Sequence, residues 1–432
     1  MKASYLKALF KSSIGIIGAA FFGLIAQKYI SVQMGPIGLG EFGLLRQFLQ
    51  VGIVILTLGG GSSIVAEWQK SRDKEDFERI ISTYIWTFIA LCSFLSLFLS
   101  PYISRFLFND DFHQSFFQWS FVIFIFISIN TYFRFLMTAK GQIGISSLNQ
   151  ILPFVYMILA LFITNNFFFV FTISYGFAAL TSIILGRKKI RIQNFFKPKF
   201  IRLKSFEKLS ITTLATGIIG FSTILIVRSF VSSNLGIYSA GLLESCWSLT
   251  NYIGLTYVSI LAAYYLPKLA ENSENDTLKK NTIILVSSCA MISSIGLLIW
   301  GDWALKIFFS NKFTGAFELL KLFTFGDYLK MTNSFFIYTL IALSFKKSYL
   351  IFDTINNILF ITLTYFILKQ SNDMSAVGIA HIISQFIYFL FLTVFVIRKK
   401  IINPRLISLT LLFTGLVFLV FIFQNNMILK LF

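Results

Sequence analysis

The chain of 432 residues is 56% hydrophobic and only 13% charged, with a mean hydropathy of +0.78 and a formal net charge of +19. A soluble domain needs a polar shell that this composition does not supply, so the chain reads as an integral membrane protein. Its apolar stretches are long and do not alternate with polar residues, which excludes a transmembrane barrel.

Thirteen stretches are long enough to cross about 30 Å of hydrocarbon as helices rising 1.5 Å per residue. They are 9 to 28, 42 to 66, 80 to 100, 116 to 138, 147 to 164, 167 to 185, 209 to 231, 241 to 266, 281 to 300, 317 to 343, 348 to 368, 376 to 397 and 406 to 424. The first has basic neighbours in Lys2, Lys7 and Lys11 but no small-residue cleavage site after it. It is expected to be an uncleaved helix rather than a signal peptide.

The second stretch carries Arg46, Gln50, Thr57 and Gly61 at helical spacing, one polar or small stripe on an otherwise apolar helix. Such a stripe suits a cavity wall. Small residues also serve close helix packing, which accounts for Gly61 but not for Arg46. GGGSS at 59 to 63 falls inside this predicted helix and lacks the lysine of a phosphate-binding loop, so ATP hydrolysis finds no support.

Between the third and fourth stretches, FNDDFH holds Asp110, Asp111 and His113 in a short loop read as a solvated turn. The fourth stretch contains Asn130 and Arg134, the seventh Arg228, and the eighth Glu244 and Asn251. The two arginines lie near helix ends, where a guanidinium either reaches headgroups or turns into a cavity. The three other residues either line a cavity or make interhelical hydrogen bonds.

FGDYLKMTN, residues 325 to 333, places Asp327 and Lys330 near the middle of the tenth stretch, with Lys321 closer to its start. A central charge costs about 2.5 to 3.5 kcal/mol on insertion scales and must face protein or water. At i, i+3 the two side chains can simply pair. A pair that only cancels itself is replaceable by apolar residues, which favours a functional reading.

Counting Arg46, Arg134, Arg228, Lys321 and Lys330 against Asp327 and Glu244, the interior is expected to lean positive and to take an anion. Arginine forks and lysine point charges suit phosphate or pyrophosphate. Two histidines, His113 and His381, and three scattered cysteines, Cys92, Cys246 and Cys289, make no zinc pattern or disulfide framework. No metal, cofactor or nucleic-acid module is expected, and His381 reads as a capping or packing residue.

With the N-terminus inside, the inner loops collect the basic residues, above all in the run from 186 to 208, while the outer loops hold few. This is the positive-inside pattern, and it also predicts attraction to anionic membrane lipids.

Residues 5 to 70 echo residues 206 to 271, with SSIGIIGAAF against LATGIIGFST and GPIGLGEFG against LGIYSAGLLES. RFLFNDDFHQSFFQ at 105 likewise answers KIFFSNKFTGAFEL at 306. Six helices per half return the chain to one side, so the repeats are parallel. The expected architecture is an all-α polytopic membrane protein of two six-helix lobes, 1–186 and 209–400, around a central cavity. The basic linker 187–208 joins them, and 401–432 adds one C-terminal helix.

GPIGLGEFGLLRQF (35–48) and LKIFFSNKFTGAFELLKLFTFGDYLK (305–330) resemble Wzx-type O-antigen and enterobacterial common antigen flippases of the multidrug, oligosaccharidyl-lipid and polysaccharide exporter superfamily. The resemblance covers about residues 1 to 400. It implies alternating-access transfer of an undecaprenyl-pyrophosphate-linked oligosaccharide from the cytoplasmic to the periplasmic leaflet of a bacterial inner membrane, without catalysis. It implies substrate contacts from Arg46, Asp327 and Lys330; the residues themselves add Gln50, Arg134 and Arg228 as further binding candidates and Asp327 or Glu244 as candidate ion-coupling groups. Other polysaccharide assembly proteins are implied partners. The C-terminal helix departs from the commoner twelve-helix plan. A drug or cation antiporter of the same superfamily is the rival transporter reading, and a membrane glycosyltransferase or polymerase the enzymatic one, for which the outer loops are too short.

Overall fold

A computed structural model describes residues 2–59, 61–201, 203–272 and 275–424, and among them every regular element is helical. In chain order these are α1 (Lys2–Gln33), α2 (Gly35–Leu56), α3 (Ser62–Lys70), α4 (Lys74–Phe108), α5 (Gln114–Ala139), α6 (Ile143–Ile163), α7 (Phe167–Gly186) and α8 (Ile192–Phe196). There follow α9 (Lys204–Ile260), a π-helical turn at Leu261–Tyr265, α10 (Leu266–Glu271), α11 (Asp276–Phe308) and a 3-10 turn at Asn311–Ala316. The chain then runs through α12 (Phe317–Ala342), α13 (Lys346–Ser371), α14 (Ser375–Arg398) and α15 (Pro404–Gln424).

Eleven helices among the described residues are long and apolar enough to cross a membrane, which makes this a multi-pass membrane protein. Two differences from the thirteen expected stretches have physical causes. The seventh and eighth stretches form one helical run, α9, bent where Gly236 takes φ 85° and ψ 164°. The tenth stretch, α12, is 26 residues long, but Lys321, Asp327 and Lys330 lower its hydropathy. It is buried along most of its length, so neighbouring helices shield Lys321 and Asp327.

The second stretch is not one helix. Leu58, Gly59 and Gly61 all take positive φ, so α2 stops at Leu56 and α3 restarts at Ser62. A Cβ on Gly59 would stand 2.3 Å from the Thr213 carbonyl carbon, so only glycine admits the approach of α9. The stripe expected from Arg46 to Gly61 therefore ends at Gln50, and Thr57 and Gly61 belong to the break.

The chain divides into two compact units, one formed by the chain up to Ile30 with Phe42–Ser233, the other by Ser31–Glu41 with Asn234–Phe432. In the first unit α5 packs on α4 and α7, and α7 on α6. In the second unit α12 packs on α11 and α14, and α14 on α13. The two arrangements correspond helix for helix. Asn130 Nδ2 donates to Ser182 Oγ at 2.9 Å between α5 and α7, and Asn333 Nδ2 to Gln385 Oε1 at 3.2 Å between α12 and α14. Both pairs keep one offset (333 − 130 = 203; 385 − 182 = 203). The internal repeat is thus visible at the level of single hydrogen bonds.

The C-terminal helix α15 packs on α11 and α12, with Val417 and Phe421 buried and Leu412, Leu419 and Phe423 exposed. Phe325 of α12 stacks on Phe421 with centroids 5.1 Å apart. One apolar face covers the second unit and the other remains outward, as expected of an added helix. The last residues of the expected 401–432 segment, from 425 on, lie outside the described residues.

Candidate functional site

Charges buried in the helices form one cluster in each unit. In the first unit, α2 supplies half-buried Arg46 and Gln50, one turn apart on the same face. Arg46 Cζ lies 5.4 Å from the Phe42 ring centroid, and Phe42 stacks on Phe171 of α7 at 5.5 Å. On α5, the half-buried Arg134 places Cζ 4.6 Å from the Phe135 ring centroid. The buried Tyr175 of α7 interacts electrostatically with both Arg134 and Arg46. Two guanidiniums from two helices of one unit therefore act on one phenol, each lying over an aromatic ring that tolerates a cation. Tyr175 escaped the sequence reading because a lone tyrosine among so many aromatic residues carries no signal by itself.

Arg228 behaves differently. It is 4% exposed, and Nη1 donates to the Gly43 carbonyl oxygen of α2 at 3.0 Å, clamping α9 to α2 inside the first unit. It does not reach headgroups as one reading of its position expected. Lys321 is also engaged, donating to Glu318 Oε1 and to the Gln424 carbonyl oxygen, each at 2.7 Å.

In the second unit the FGDYLK segment of α12 is the centre. Asp327 is buried, and its Oδ1 lies 3.0 Å from Nε2 of the buried His381 on α14. A Cβ on Gly326 would meet His381 Cδ2 at 2.3 Å, and one on Gly378 would meet Leu322 Cβ at 2.5 Å. These glycines let α12 and α14 approach until the imidazole reaches the carboxylate. Phe323 stacks on His381 at 5.2 Å and fixes the ring. Lys330 Nζ is 3.7 Å from Asp327 Oδ1, and its side chain is 43% exposed. It also interacts electrostatically with the half-buried Asp353 of α13. A small cavity beside Asp327 is lined by Thr250, Ile253, Ser293, Ser294, Leu297, Thr324 and Met331.

The expected pair at positions 327 and 330 exists, but the nearer partner of Asp327 is His381. The expectation that His381 merely caps or packs is corrected: its pairing depends on glycines on two helices, a coincidence that linear spacing does not reveal. Asp353 was absent from the reckoning of charges. Glu244 of α9 is buried, its Oε1 accepting from Ser248 Oγ at 2.9 Å, while Asn251 is exposed. Asn130 makes the interhelical bond already described. The interior, expected to lean positive, thus separates into two half-buried arginines in the first unit and, in the second, a half-buried Lys330 that interacts with Asp327 and Asp353.

No protein-family model matches the chain, and no curated protein matches it by sequence. Solved structures do. The lipid II flippase MurJ in an inward closed conformation aligns with TM-score 0.72 and 15% identity over 96% of this chain and 99% of that one. An inward-facing multidrug resistance MATE family transporter of the MOP superfamily aligns with TM-score 0.70 and 13% identity over 93% and 99%. The MATE multidrug transporter DinF-BH, in a complex, aligns with TM-score 0.67 and 16% identity over 92% and 95%.

The chain has the fold of these transporters. At such identities the likeness carries the fold and no site residue, so the roles of the two clusters rest on their own chemistry.

Proposed function

We propose that this protein is a flippase that moves an undecaprenyl-pyrophosphate-linked oligosaccharide, an O-antigen unit or a related surface-polysaccharide repeat, between leaflets of a bacterial inner membrane by alternating access. One observation carries the reading: Arg46 of α2 and Arg134 of α5, two half-buried guanidiniums of one unit, both interact electrostatically with the buried Tyr175 of α7. Paired guanidiniums in a low-dielectric setting bind a pyrophosphate far better than a drug cation, which they would repel. Gln50, one turn from Arg46, supplies a neutral donor to the same headgroup, and Arg228 sets the position of α2 from behind. The likeness to the fold of a lipid II flippase supports a lipid-linked substrate.

In this reading the lobes are 1–186 and 209–400, joined by 187–208, with the N-terminus in the cytoplasm and no catalytic step. Lys330 contacts the headgroup and exchanges it for Asp327 or Asp353. That exchange supplies the differential interaction that a population shift requires. Asp327, with His381, and Glu244 are the candidate ion-coupling groups.

The antiporter reading has its own support in the carboxylates around Lys330. The experiment is translocation of a lipid-linked oligosaccharide in proteoliposomes, comparing wild type with Arg46→Gln and Arg134→Gln. Each variant should lose about 10- to 100-fold in rate, the worth of a charge-assisted contact of about 1.5 to 3 kcal/mol. Wild-type vesicles that leave the oligosaccharide lipid in place but exchange a cationic dye for protons would install the antiporter reading instead.

A further inference from the structure

The chain after α7 does not leave the first unit but folds back on it. Ile190 and Phe195 are buried, and the Phe195 carbonyl oxygen accepts from Trp86 Nε1 of α4 at 2.8 Å. Asn194 Nδ2 donates to Glu78 Oε2 at 2.6 Å, while Glu78 Oε1 pairs with Lys140 at 2.8 Å. Thr83 Oγ1 donates to the Lys199 carbonyl oxygen at 2.9 Å, and the Lys199 ammonium pairs with Asp76. Arg191 reaches Glu75 at 3.0 Å. The three acidic residues at the start of α4 are thereby matched by these bases.

What is left over faces outward. Arg187, Lys188, Lys189 and Lys197 are exposed, and no carboxylate lies within ion-pair distance of them among the described residues. Interleaved with them are exposed apolar side chains: Phe196 at 56% exposure, Phe200 at 83% and Ile201 at 47%. The segment follows α7, a helix long and apolar enough to cross a membrane, and packs against the start of α4.

We propose that residues 187–201 form a fixed platform for an acidic phospholipid surface, with Phe196, Phe200 and Ile201 seated at the acyl boundary and Arg187, Lys188, Lys189 and Lys197 against the lipid phosphates. Outward basic and aromatic residues in one short segment form the pattern of an interfacial anchor. Anionic lipid attracts each nearby cation at the surface. Docking through Glu78, Asn194 and Phe195 orders the segment before any lipid arrives, so little ordering entropy opposes the contact. This inference is independent of the transported substrate.

The test places a bimane fluorophore at Gln193→Cys, an exposed position within α8, with Cys289→Ala removing the one natural thiol that is not buried. The full chain is reconstituted with brominated phosphatidylglycerol or brominated phosphatidylcholine at equal mole fraction, and quenching is compared. Phosphatidylglycerol is expected to associate about fivefold more strongly, the factor that roughly one surface charge contact supplies. R187Q/K188Q/K189Q/K197Q should bring that ratio to about one while the protein elutes unchanged on size exclusion. Phe196→Ser with Phe200→Ser should lower quenching by both lipids. Equal quenching by the two lipids in the unsubstituted platform overturns the proposal. So does the absence of quenching by either, which would leave the surface to a partner in the aqueous phase.

Discussion

Gly40 and Gly241 pack backbone to backbone. A Cβ on Gly40 would stand 2.4 Å from the Ile237 carbonyl oxygen, and one on Gly241 would stand 1.8 Å from the Pro36 carbonyl oxygen. The contact is reciprocal and obeys a single offset (241 − 40 = 201; 237 − 36 = 201), so equivalent turns of the two repeats cross at equivalent atoms. Gly35 and Gly236, at the same offset, both take positive φ just before the crossing. All these residues lie in the second unit.

This crossing predicts an asymmetry among glycines. Gly241→Ala drives a methyl into a carbonyl that belongs to the backbone and cannot rotate away, and should cost more than about 3 kcal/mol, at the upper end for overpacking. Gly254→Ala, in the same helical run but with nothing within 4 Å of its added Cβ, should be neutral or stabilising by up to about 1 kcal/mol. Thermal unfolding in detergent, read by the aggregation temperature of each variant, decides the matter. Equal temperatures for the two variants would contradict the close crossing.

The Asp327–His381 contact predicts a compensating pair of substitutions. His381→Leu removes the nearest partner of a buried carboxylate and should cost about 3 to 5 kcal/mol, the usual penalty for orphaning one member of a buried pair. Asp327→Asn removes the charge and should be milder. If the two side chains are coupled, the double variant should be more stable than the sum of the single effects by at least about 1 kcal/mol. Denaturation of the purified single and double variants measures that coupling, and strict additivity would mean that Lys330 and Asp353, not His381, govern Asp327.

Much of this was legible in the sequence. Twelve of the thirteen stretches were visible because a membrane demands about twenty apolar residues, a requirement that leaves its mark in any single window. The tenth was visible for the opposite reason: Asp327 and Lys330 break such a window and are tolerated only inside protein. Gly40 and Gly241 sat within the echoed motifs GPIGLGEFG and LGIYSAGLLES, although their contact did not show there. What stayed hidden was partnership across helices. Gln50 and Arg46 share a helix and could be paired by counting, whereas Tyr175 acts electrostatically on Arg134 from another helix and His381 meets Asp327 through two glycines. The burial of Arg228 was hidden likewise, since the carbonyl of Gly43 that receives it has no side-chain signature.

Glu78 holds the linker platform. It is 3% exposed and binds Lys140 with one oxygen and Asn194 with the other. Glu78→Leu leaves Asn194 Nδ2 without its acceptor and Lys140 with the Lys189 carbonyl oxygen but no carboxylate, and should release the segment from α4, whereas Glu78→Gln keeps an acceptor and a donor and should release it far less. Limited trypsin digestion of reconstituted protein reads this at Arg187, Lys188 and Lys189. Cleavage there should be at least about tenfold faster for Glu78→Leu than for wild type, the effect of about 1.4 kcal/mol of lost protection. An unchanged rate would show that Phe195 and Trp86 hold the segment without the carboxylate.

Asn130 and Asn333 should show whether the two units share one energetic design as well as one geometry. Each is buried and donates across an equivalent helix pair, Asn130 also reaching the Asn149 carbonyl oxygen at 3.3 Å and Asn333 the Gln385 carbonyl oxygen at 3.1 Å. Truncation to Ala leaves buried acceptors unmet and opens a small void, so each variant should lose about 1 to 3 kcal/mol. Because one helix seam in each unit depends on one such amide, the two losses should agree within about 1 kcal/mol and should add in the double variant, their sites being far apart in sequence and in separate units. Unfolding followed separately by tryptophan fluorescence of Trp68, Trp86 and Trp119 in the first unit and of Trp247, Trp300 and Trp303 in the second, with the other unit's tryptophans replaced by Phe, would assign each loss to its own unit. A large loss from Asn333→Ala beside no loss from Asn130→Ala would mean that the second seam bears strain from the neighbouring Asp327–His381 pair, and that repeat symmetry does not extend to stability.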